Sequence, residues 1–556
     1  MAGSIVEPKM ERAAQMFPKL TAAQVERIST VGHRREMRAG EVLFDVGDQN
    51  TRFFVVLEGS IEIVRPIGDR EEPVVEHGPS QFTGEINMLS ARRSLVRGRV
   101  TADGAVISVD RDELRALVQR DPELSEVLMR AFILRRMGLL DQVANDMILL
   151  GSRHSATTQQ IREFLSRNGQ PFTYQDVETD PSVQVLLDRF DVGVDEVPVV
   201  VCQGGHVLKN PTIEMLASAA GLSPDLDDTK LRDVVIVGAG PAGLAAAVYG
   251  ASEGLDVLVV ETTAPGGQAG TSSRIENYLG FPTGISGQAL SGRALTQAEK
   301  FGAEVAIGRT VSRMDCDSRP YRLYLSDGQV VLTRTIIIAT GAKYRKLAVA
   351  SFERFENAGV YYCATYLESQ NCKGEEIAVV GGANSAGQAA VFLAGFATRV
   401  HMLVRGPTLS TDMSRYLIQR IESTPNIVVH TRTQVDALEG DKGLERVIWR
   451  QLDSGERETH NIRNLFLMTG ADPNTDWLAG CLRLDEKKFV KTGADLLPAD
   501  LAGAWALARR PYLMETSIPG VFCVGDARSA SVKRVASAVG EGSISIQLVH
   551  RALAEL

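Results

Sequence analysis

The run Asp233-Val-Val-Ile-Val-Gly-Ala-Gly-Pro-Ala-Gly-Leu-Ala-Ala-Ala-Val-Tyr-Gly250, closing on Val257-Leu-Val-Val-Glu261, decides how the chain is built. Val234 to Val237 is an apolar stretch that reads as a buried parallel strand, and Leu244 to Gly250 opens a helix. Between them Gly238, Gly240 and Gly243 stand at G-x-G-x-x-G spacing, with Pro241 and Ala242 filling the turn. Gly238 permits the tight turn, Gly240 lets a pyrophosphate approach the backbone, and Gly243 lets helix pack closely on strand. The phosphates then sit on a helix N-terminus, where free N–H groups and the dipole favour anions. Glu261 ends the second strand where a carboxylate accepts from a ribose hydroxyl. Strand, glycine turn, helix, strand and acid together specify a dinucleotide-binding unit.

Outward from this unit, the whole chain has 556 residues, 44% of them hydrophobic, enough for about three or four domains. A net charge of −9 disfavours a nucleic-acid partner. No apolar run is long enough to span a membrane, and Met1 to Lys9 lacks a signal-peptide pattern, so the expectation is a cytoplasmic protein without a membrane partner. Cys202, Cys316, Cys363, Cys372, Cys481 and Cys523 are scattered without a C-x-x-C. That pattern argues against a disulfide framework and against a metal site.

Residues 1–146 open with a helical stretch (Ala22 to Ser29) and continue as short strands punctuated by glycine, a small β-roll. Phe82-Thr-Gly-Glu-Ile-Asn-Met-Leu89, then Arg93-Ser-Leu-Val96, resembles the phosphate cassette of cyclic-nucleotide-binding domains. Gly47 and Gly59 stand at that family's turn positions. By that likeness Glu85 accepts from the ribose 2′-hydroxyl of cAMP or cGMP, and Arg93 neutralises the phosphate beside the N–H groups near Gly84. The loop is one residue short, so Arg92 or Arg97 is an alternative phosphate ligand. Helical periodicity from Arg111 to about Asp146 fits either a relay to an effector or a dimer helix.

Residues 147–222 form a second small α/β unit that resembles glutaredoxin-like and thioredoxin-like domains, with Val197-Pro198 as its cis-proline corner. Where that family carries C-x-x-C, this chain reads Ser152-Arg-His-Ser155, which cannot form a mixed disulfide. The unit is expected to be redox-dead. A polar linker, residues 223–230, follows.

Beyond Glu261 come Pro265-Gly-Gly-Gln268 and Asn277, then Ala339-Thr-Gly341. Val379-Val-Gly-Gly-Ala-Asn-Ser-Ala386, Val524-Gly-Asp526 and Lys533-Arg-Val-Ala536 complete the series. These phrases, in this order, resemble the low-molecular-weight thioredoxin reductases. The likeness implies two Rossmann-like domains: an FAD domain split over 231–347 and 473–556, and a pyridine-nucleotide domain inserted at 348–472. It implies flavin contacts from Gly266, Gly267, Gln268, Asn277, Thr340 and Gly341. Gly525 and Asp526 would hold the ribityl chain, and Arg534, Val535 and Ala536 the pyrimidine edge, where a helix N-terminus favours the anionic reduced flavin.

In the inserted domain, Gly381, Ala383 and Ala386 make a G-x-A-x-x-A turn, with Gly382, Asn384 and Ser385 in the same loop. No acid follows the next strand, and Arg405 stands where NADP-using relatives place arginines, with Arg415 a possible second, so the turn leans to NADPH over NADH. At Cys363-Ala-Thr-Tyr366 the likeness breaks. Relatives carry C-A-T-C, and Tyr366 cannot form a flavin adduct or a disulfide. Cys363 is left as a lone catalytic thiol, with Cys372 as a possible partner and Tyr366 beside the flavin.

The expected fold is thus multidomain, α+β and α/β. The expected function is an NADPH-oxidising FAD oxidoreductase, homodimeric and modulated by a cyclic nucleotide, whose acceptor is a disulfide, a ferredoxin, a quinone or oxygen. A regulatory flavoprotein that senses rather than turns over is the alternative.

Overall fold

The computed structural model describes residues 15–48, 51–67, 70–84, 94, 96–142, 147–178, 183, 187, 192–193, 196–202, 206–272, 274–275, 277–350, 352–356, 358–362, 364, 366–410, 413–441, 443–503 and 505–555. In the N-terminal unit, β1 (His33–Met37), β2 (Val42–Phe44), β3 (Phe53–Ile67), β4 (Arg70–His77) and β5 (Arg97–Val109) form an antiparallel sheet. The order is β1-β5-β3-β4, with β2 also on β5. Helix α1 (Ala22–Ser29) precedes it, and α2 (Arg111–Arg120) and α3 (Pro122–Gln142) follow, broken at Asp121 ahead of the proline. Phe53, Phe82 and Phe132 are fully buried and meet pairwise at centroid distances of 5.6 to 6.1 Å, tilted and edge-on, which locks α3 onto the sheet.

The second unit has β6 (Ile148–Gly151), β7 (Thr173–Asp176), β8 (Val199–Val201) and β9 (Val207–Lys209) in the order β7-β6-β8-β9. Strand β6 runs parallel to β7, and β8 is antiparallel to both of its neighbours. Helices α4 (Ala156–Arg167) and α5 (Ile213–Ala219) flank it, and Val197–Pro198 is cis. This unit is not a bead on a string. Its Leu149, Phe164 and Leu216 share one buried apolar cluster with Ile236, Leu244 and Val257 of the following unit. Fully burying each such side chain contributes about 1.5–3 kcal/mol. Arg167 Nη2 and Asn168 Nδ2 also donate to the carbonyls of Gly267 and Thr263, each at 3.0 Å.

The third unit is a mixed sheet. Strands β10 (Leu231–Val237), β11 (Val257–Glu261), β12 (Glu304–Ile307) and β15 (Val330–Ile338) lie parallel in the order β12-β11-β10-β15. Strands β13 (Val311–Asp315) and β14 (Tyr321–Leu325) extend β15 as an antiparallel meander, and β26 (Val521–Cys523), arriving from the far end of the chain, adds in parallel to β15. Helix α6 (Pro241–Ser252), with eight of its twelve residues buried, packs against α7 (Gly287–Phe301) and α10 (Val535–Glu555). Such closeness needs glycine: a Cβ on Gly243 would lie 1.9 Å from the Gly238 carbonyl oxygen, and one on Gly542 2.1 Å from that of Ala242.

Between β15 and β26 the chain leaves through β16 (Ala342–Tyr344) and returns through β25 (Ala471–Pro473), which pair antiparallel. The excursion builds a parallel sheet ordered β17-β24-β18-β19-β20 and a meander β21-β22-β23. Their ranges are β17 (Val360–Tyr361), β18 (Glu376–Val380), β19 (Arg399–Val404), β20 (Ile427–Thr431), β21 (Thr433–Glu439), β22 (Arg446–Gln451), β23 (Arg457–His460) and β24 (Leu465–Leu467).

The cysteines correct one expectation. Cys316, after β13, and Cys481, after β25, have Cα atoms 5.9 Å apart and form a disulfide. Scattered cysteines show no framework, but a single bridge needs only two Cα atoms brought within about 4.4–6.8 Å by the fold.

Candidate functional site

The carboxyl ends of β10, β11, β15 and β26 open on a cavity of 370 Å3. Its floor is the first glycine turn. Gly238 has φ +106°, and a Cβ there would lie 2.4 Å from the Ala339 carbonyl oxygen, so only glycine fits. Gly240 caps α6 without any side-chain hydrogen bond, and Pro241 takes the first helical position. The first-turn N–H groups therefore lack acceptors from the protein side chains. A Cβ on Gly240 would meet nothing within 4 Å, which leaves an open cradle over a positive helix end. The residues fit a pyrophosphate.

Around this floor stand Glu261, Gly267, Gln268, Thr340, Gly341 and Gly525, then Asp526, Arg534 and Val535. Glu261 does more locally than the sequence suggested: its carboxylate accepts from the Ala239, Thr263 and Ala264 N–H groups at 2.7, 2.9 and 3.2 Å, fixing the loop. Gln268 Nε2 donates to the Ala342 carbonyl at 2.6 Å. Gly243 packs against Gly238 and Gly266 against Ser291, so both shape the wall from behind. Asn277 and Ala536 are exposed and lie outside this lining, whereas Ala538 is in it.

Sequence reasoning missed the support under Asp526. Glu541 on α10, nearly buried, accepts from the Gly525 N–H at 2.7 Å and from Arg528 Nη2 at 2.6 Å, clamping the loop after β26. Lys533 Nζ donates to the Asp526 carbonyl at 2.6 Å. Burial pushes the Asp526 carboxyl up from its ordinary range against the pull of Lys533, and burial pushes the Lys533 ammonium down.

The inserted sheet presents the second glycine turn to the same cavity. Helix α8 (Asn384–Leu393) is capped by Ala383 without a side-chain bond, as α6 is by Gly240. Gly381 has φ +143° and closes against the Met468 carbonyl. Gly382 packs toward Val404, and Asn384 Oδ1 accepts from the Ser414 N–H at 2.7 Å, tying the turn to helix α9 (Arg415–Glu422). Ser385, Gln388 and Ala389 line the cavity opposite Gly240, while Ala386 is buried behind them. Arg405 and Arg415 are exposed beyond β19 and at the start of α9.

Ala364 and Tyr362 also line the cavity. Cys363 lies outside the described residues, and Tyr366 opens the helix Tyr366–Asn371. Cys372 is buried, its thiol donating to the Glu368 carbonyl at 3.4 Å and pushed up to about 12 by burial, which keeps it protonated. Burial likewise pushes Cys202 up to about 11. Neither is poised as a thiolate.

In the N-terminal unit Gly84 has φ +104°, while Glu85, Arg92 and Arg93 lie outside the described residues. Arg97, the alternative phosphate ligand, is committed elsewhere: it pairs with Asp45 at 2.8 Å and Glu71 at 2.6 Å. Arg135 on α3 was not foreseen. It is buried, donates to the carbonyls of Phe82 and Gly84 at 3.0 and 2.9 Å, and lies 4.5 Å over the Phe82 ring. In the second unit, Ser152 Oγ donates to Glu178 at 2.7 Å and Ser155 caps α4. Among the described residues no group of three or more His, Cys, Asp or Glu is placed to hold a metal, and no helix is long and apolar enough to cross a membrane.

Comparison with known proteins agrees with this geometry. A family model described as pyridine nucleotide-disulphide oxidoreductase matches residues 232–542, and one described as cyclic nucleotide-binding domain matches residues 34–121. The chain is 32% identical to the thioredoxin reductase of Ureaplasma parvum over 319 residues, covering 57% of this chain and 95% of that one. It is 33% identical to NADPH-dependent thioredoxin reductase 3 of Arabidopsis thaliana over 367 residues, covering 63% of this chain and 65% of that one. The solved thioredoxin reductase of Lactococcus lactis superposes with a TM-score of 0.52 at 30% identity, over 58% of this chain and 100% of that one. That of T. acidophilum gives 0.51 at 27% identity, over 58% and 98%. Thioredoxin reductases of this family use FAD and NADPH. The chain belongs to the pyridine nucleotide-disulphide oxidoreductase family, as a thioredoxin reductase-like oxidoreductase joined to an N-terminal cyclic nucleotide-binding domain.

Proposed function

We propose that the chain is a homodimeric, NADPH-fed FAD reductase in which no C-x-x-C relay carries the electrons and a cyclic nucleotide sets the rate. One observation carries this reading: both glycine turns open on one cavity, through Gly240 on one side and Ser385 on the other. Bound there, the two cofactors supply hydride transfer from nicotinamide to flavin and delivery of the electron pair to an acceptor. The α6 N-terminus at Gly240 to Ala242 holds the FAD pyrophosphate, with Gly238 turning the chain beneath it. Glu261 orients the adenosine ribose, and Gly267, Gln268, Thr340 and Gly341 shape the path to the ring. Asp526 hydrogen-bonds the ribityl chain on a loop held by Glu541, and Arg534 with Val535 present the α10 N-terminus to the pyrimidine edge.

The α8 N-terminus at Ala383 to Ser385 holds the NADPH pyrophosphate, with Arg405 for the ribose phosphate. Tyr366 in place of a second cysteine leaves the acceptor to meet the flavin directly, and Cys363 acts only if an acceptor supplies its partner thiol. Control by cAMP or cGMP, held by Gly84, Glu85 and Arg93, is supported by two contacts. Arg135 binds the start of the cassette to α3, and Gln119 Nε2 on the adjoining α2 donates to the Phe301 carbonyl of the flavin unit at 3.2 Å. The second unit reads as a thioredoxin-like fold without a C-x-x-C, with Ser152 and Ser155 engaged structurally.

The test is anaerobic addition of NADPH to the flavin-loaded protein, followed by flavin absorbance, with NADH and with cAMP or cGMP in parallel. Rapid bleaching by NADPH at a rate moved by one cyclic nucleotide is expected. Bound flavin that stays oxidised with both pyridine nucleotides refutes the reading and leaves a sensing flavoprotein.

A further inference from the structure

A second cavity, of 450 Å3, adjoins the first across the segment Gly267 to Thr271 and the Tyr362 ring. Three parts of the chain build it. Helix α4 of the second unit contributes Gln159, Gln160, Glu163 and Arg167. The flavin unit adds Glu261, Thr263 and Thr271, and the inserted domain adds Tyr361, Tyr362, Glu368 and Asn371. The volume is that of a small-molecule site, which typically spans about 300–1,000 Å3.

The α4 wall is fixed in place. Arg167 binds the Gly267 carbonyl, Gln288 Nε2 donates to the Ser166 carbonyl at 3.1 Å, and Leu149, Phe164 and Leu216 share the flavin unit's core. The second unit, with serine at both Ser152 and Ser155, therefore walls a cavity that opens beside the flavin cavity. A folded protein cannot reach past α4 without dislodging that shared core, so a partner using this approach must be small.

The lining also selects by charge and shape. It carries three carboxylates, Glu163, Glu261 and Glu368, against the one guanidinium of Arg167, and Arg167 is itself engaged with Glu163 at 3.4 Å and with Gly267. Among the described lining residues an anion meets more carboxylates than cations, and Arg167 is already engaged, an arrangement that disfavours anionic disulfides and phosphates. Tyr361, Tyr362 and Ile213 give the lining apolar surface, and the Gln160 amide and the second N–H of Asn371, whose amide also donates to the Tyr361 hydroxyl at 3.4 Å, are donors for carbonyl oxygens.

We propose that this cavity binds a small, uncharged, planar dicarbonyl acceptor of the quinone class, and that roofing it is the function of the second unit. The proposal rests on the NADPH-fed reading above and names its acceptor. The net reaction balances: NADPH gives two electrons and one proton, the solvent gives a second proton, and the quinone becomes a hydroquinone while NADPH becomes NADP+.

Equilibrium dialysis of duroquinone, whose fully substituted ring cannot alkylate thiols, tests the site in flavin-loaded and flavin-free protein alike. One site per chain is expected in both forms. Gln160→Trp, placed on the exposed face of α4, should weaken binding tenfold or more with an unchanged thermal midpoint and flavin content. Glu163→Lys is the second variant. It should raise affinity for an anionic naphthoquinone sulfonate, which the unaltered protein should reject. Equal duroquinone binding by Gln160→Trp, or displacement of duroquinone by oxidised glutathione, overturns the proposal. If NADPH fails to bleach the flavin while dialysis still shows the site, the binding inference stands and the reductase reading falls.

Discussion

Gly240→Ala separates ligand space from fold space at the first glycine turn. In the protein alone the added methyl meets nothing within 4 Å, and Gly240 already has the ordinary extended backbone of an N-cap (φ −69°, ψ −177°), so alanine fits without strain. The apoprotein should lose only part of the roughly 1 kcal/mol that separates good and poor N-caps. A pyrophosphate on the α6 N-terminus occupies the space the methyl takes. Displacing it forfeits at least one charge-assisted N–H to phosphate bond, worth about 1.5–3 kcal/mol. At 1.4 kcal/mol per tenfold, FAD should bind roughly ten- to hundredfold more weakly. Gly243→Ala is the contrast: its methyl would lie 1.9 Å from the Gly238 carbonyl oxygen, so the fold itself should suffer, by about 1–3 kcal/mol. The assay is titration of flavin-free protein with FAD, followed by flavin fluorescence, beside the thermal midpoint of each apoprotein. A Gly240→Ala protein that binds FAD as tightly as the parent refutes the placement of the pyrophosphate.

Three further outcomes are expected. Cys481→Ser opens a loop of 165 residues, for which chain entropy sets a loss of about 5 kcal/mol as the upper bound; the inserted domain folds within that loop and shortens its effective length, so a denaturant series should show a smaller loss, and no loss at all argues against the bridge. Burial holds the imidazoles of His401 and His430, whose ring nitrogens meet at 3.0 Å, below their ordinary range, with Glu376, Arg399, Glu458, His460 and Trp449 around them. Unfolding then takes up protons, so stability is fully present above about pH 6.5 and falls below it, by about 1.4 kcal/mol per pH unit for each proton; an equally steep denaturant-midpoint profile in His430→Gln would sink this account. Glu541→Gln leaves Arg528 without its carboxylate partner and slackens the Gly525 loop; a cost of about 3–5 kcal/mol with weakened FAD retention is expected, and a thermal midpoint unchanged from the parent would contradict it.

What was legible in the sequence was local. Gly238, Gly240 and Gly243 announce their turn because strand, turn and helix lie within one short stretch and each glycine answers a demand of that stretch. The same holds at Gly381 to Ala386, and for the β-roll and the short strands of the second unit. Contacts joining distant segments were not legible. Gly542 reads as one more glycine until α10 is laid across Ala242, and Glu541 reads as a helix acid until its carboxylate meets the Gly525 N–H. Arg97 stood as an alternative phosphate ligand because Asp45, just past β2, and Glu71, on β4, which claim it, are distant in sequence. Cys316 and Cys481 looked unpaired because spacing carries no information about a pair brought together by β13 and the return from the inserted domain.

The second unit shows why this blindness matters for function. Read alone, Ser152-Arg-His-Ser155 says only that no thiol stands in this loop, and it assigns the unit no role. The role proposed for it lies on another surface, the α4 face carrying Gln160, Glu163 and Arg167, which has no meaning until Thr263, Thr271 and Tyr361 are placed in the same lining. On the quinone proposal, serine at Ser152 and tyrosine at Tyr366 belong together. An acceptor that reaches the flavin along α4, as proposed, is too small to be a protein disulfide, and such a route gives neither dithiol a substrate. An uncharged acceptor small enough for 450 Å3 needs neither.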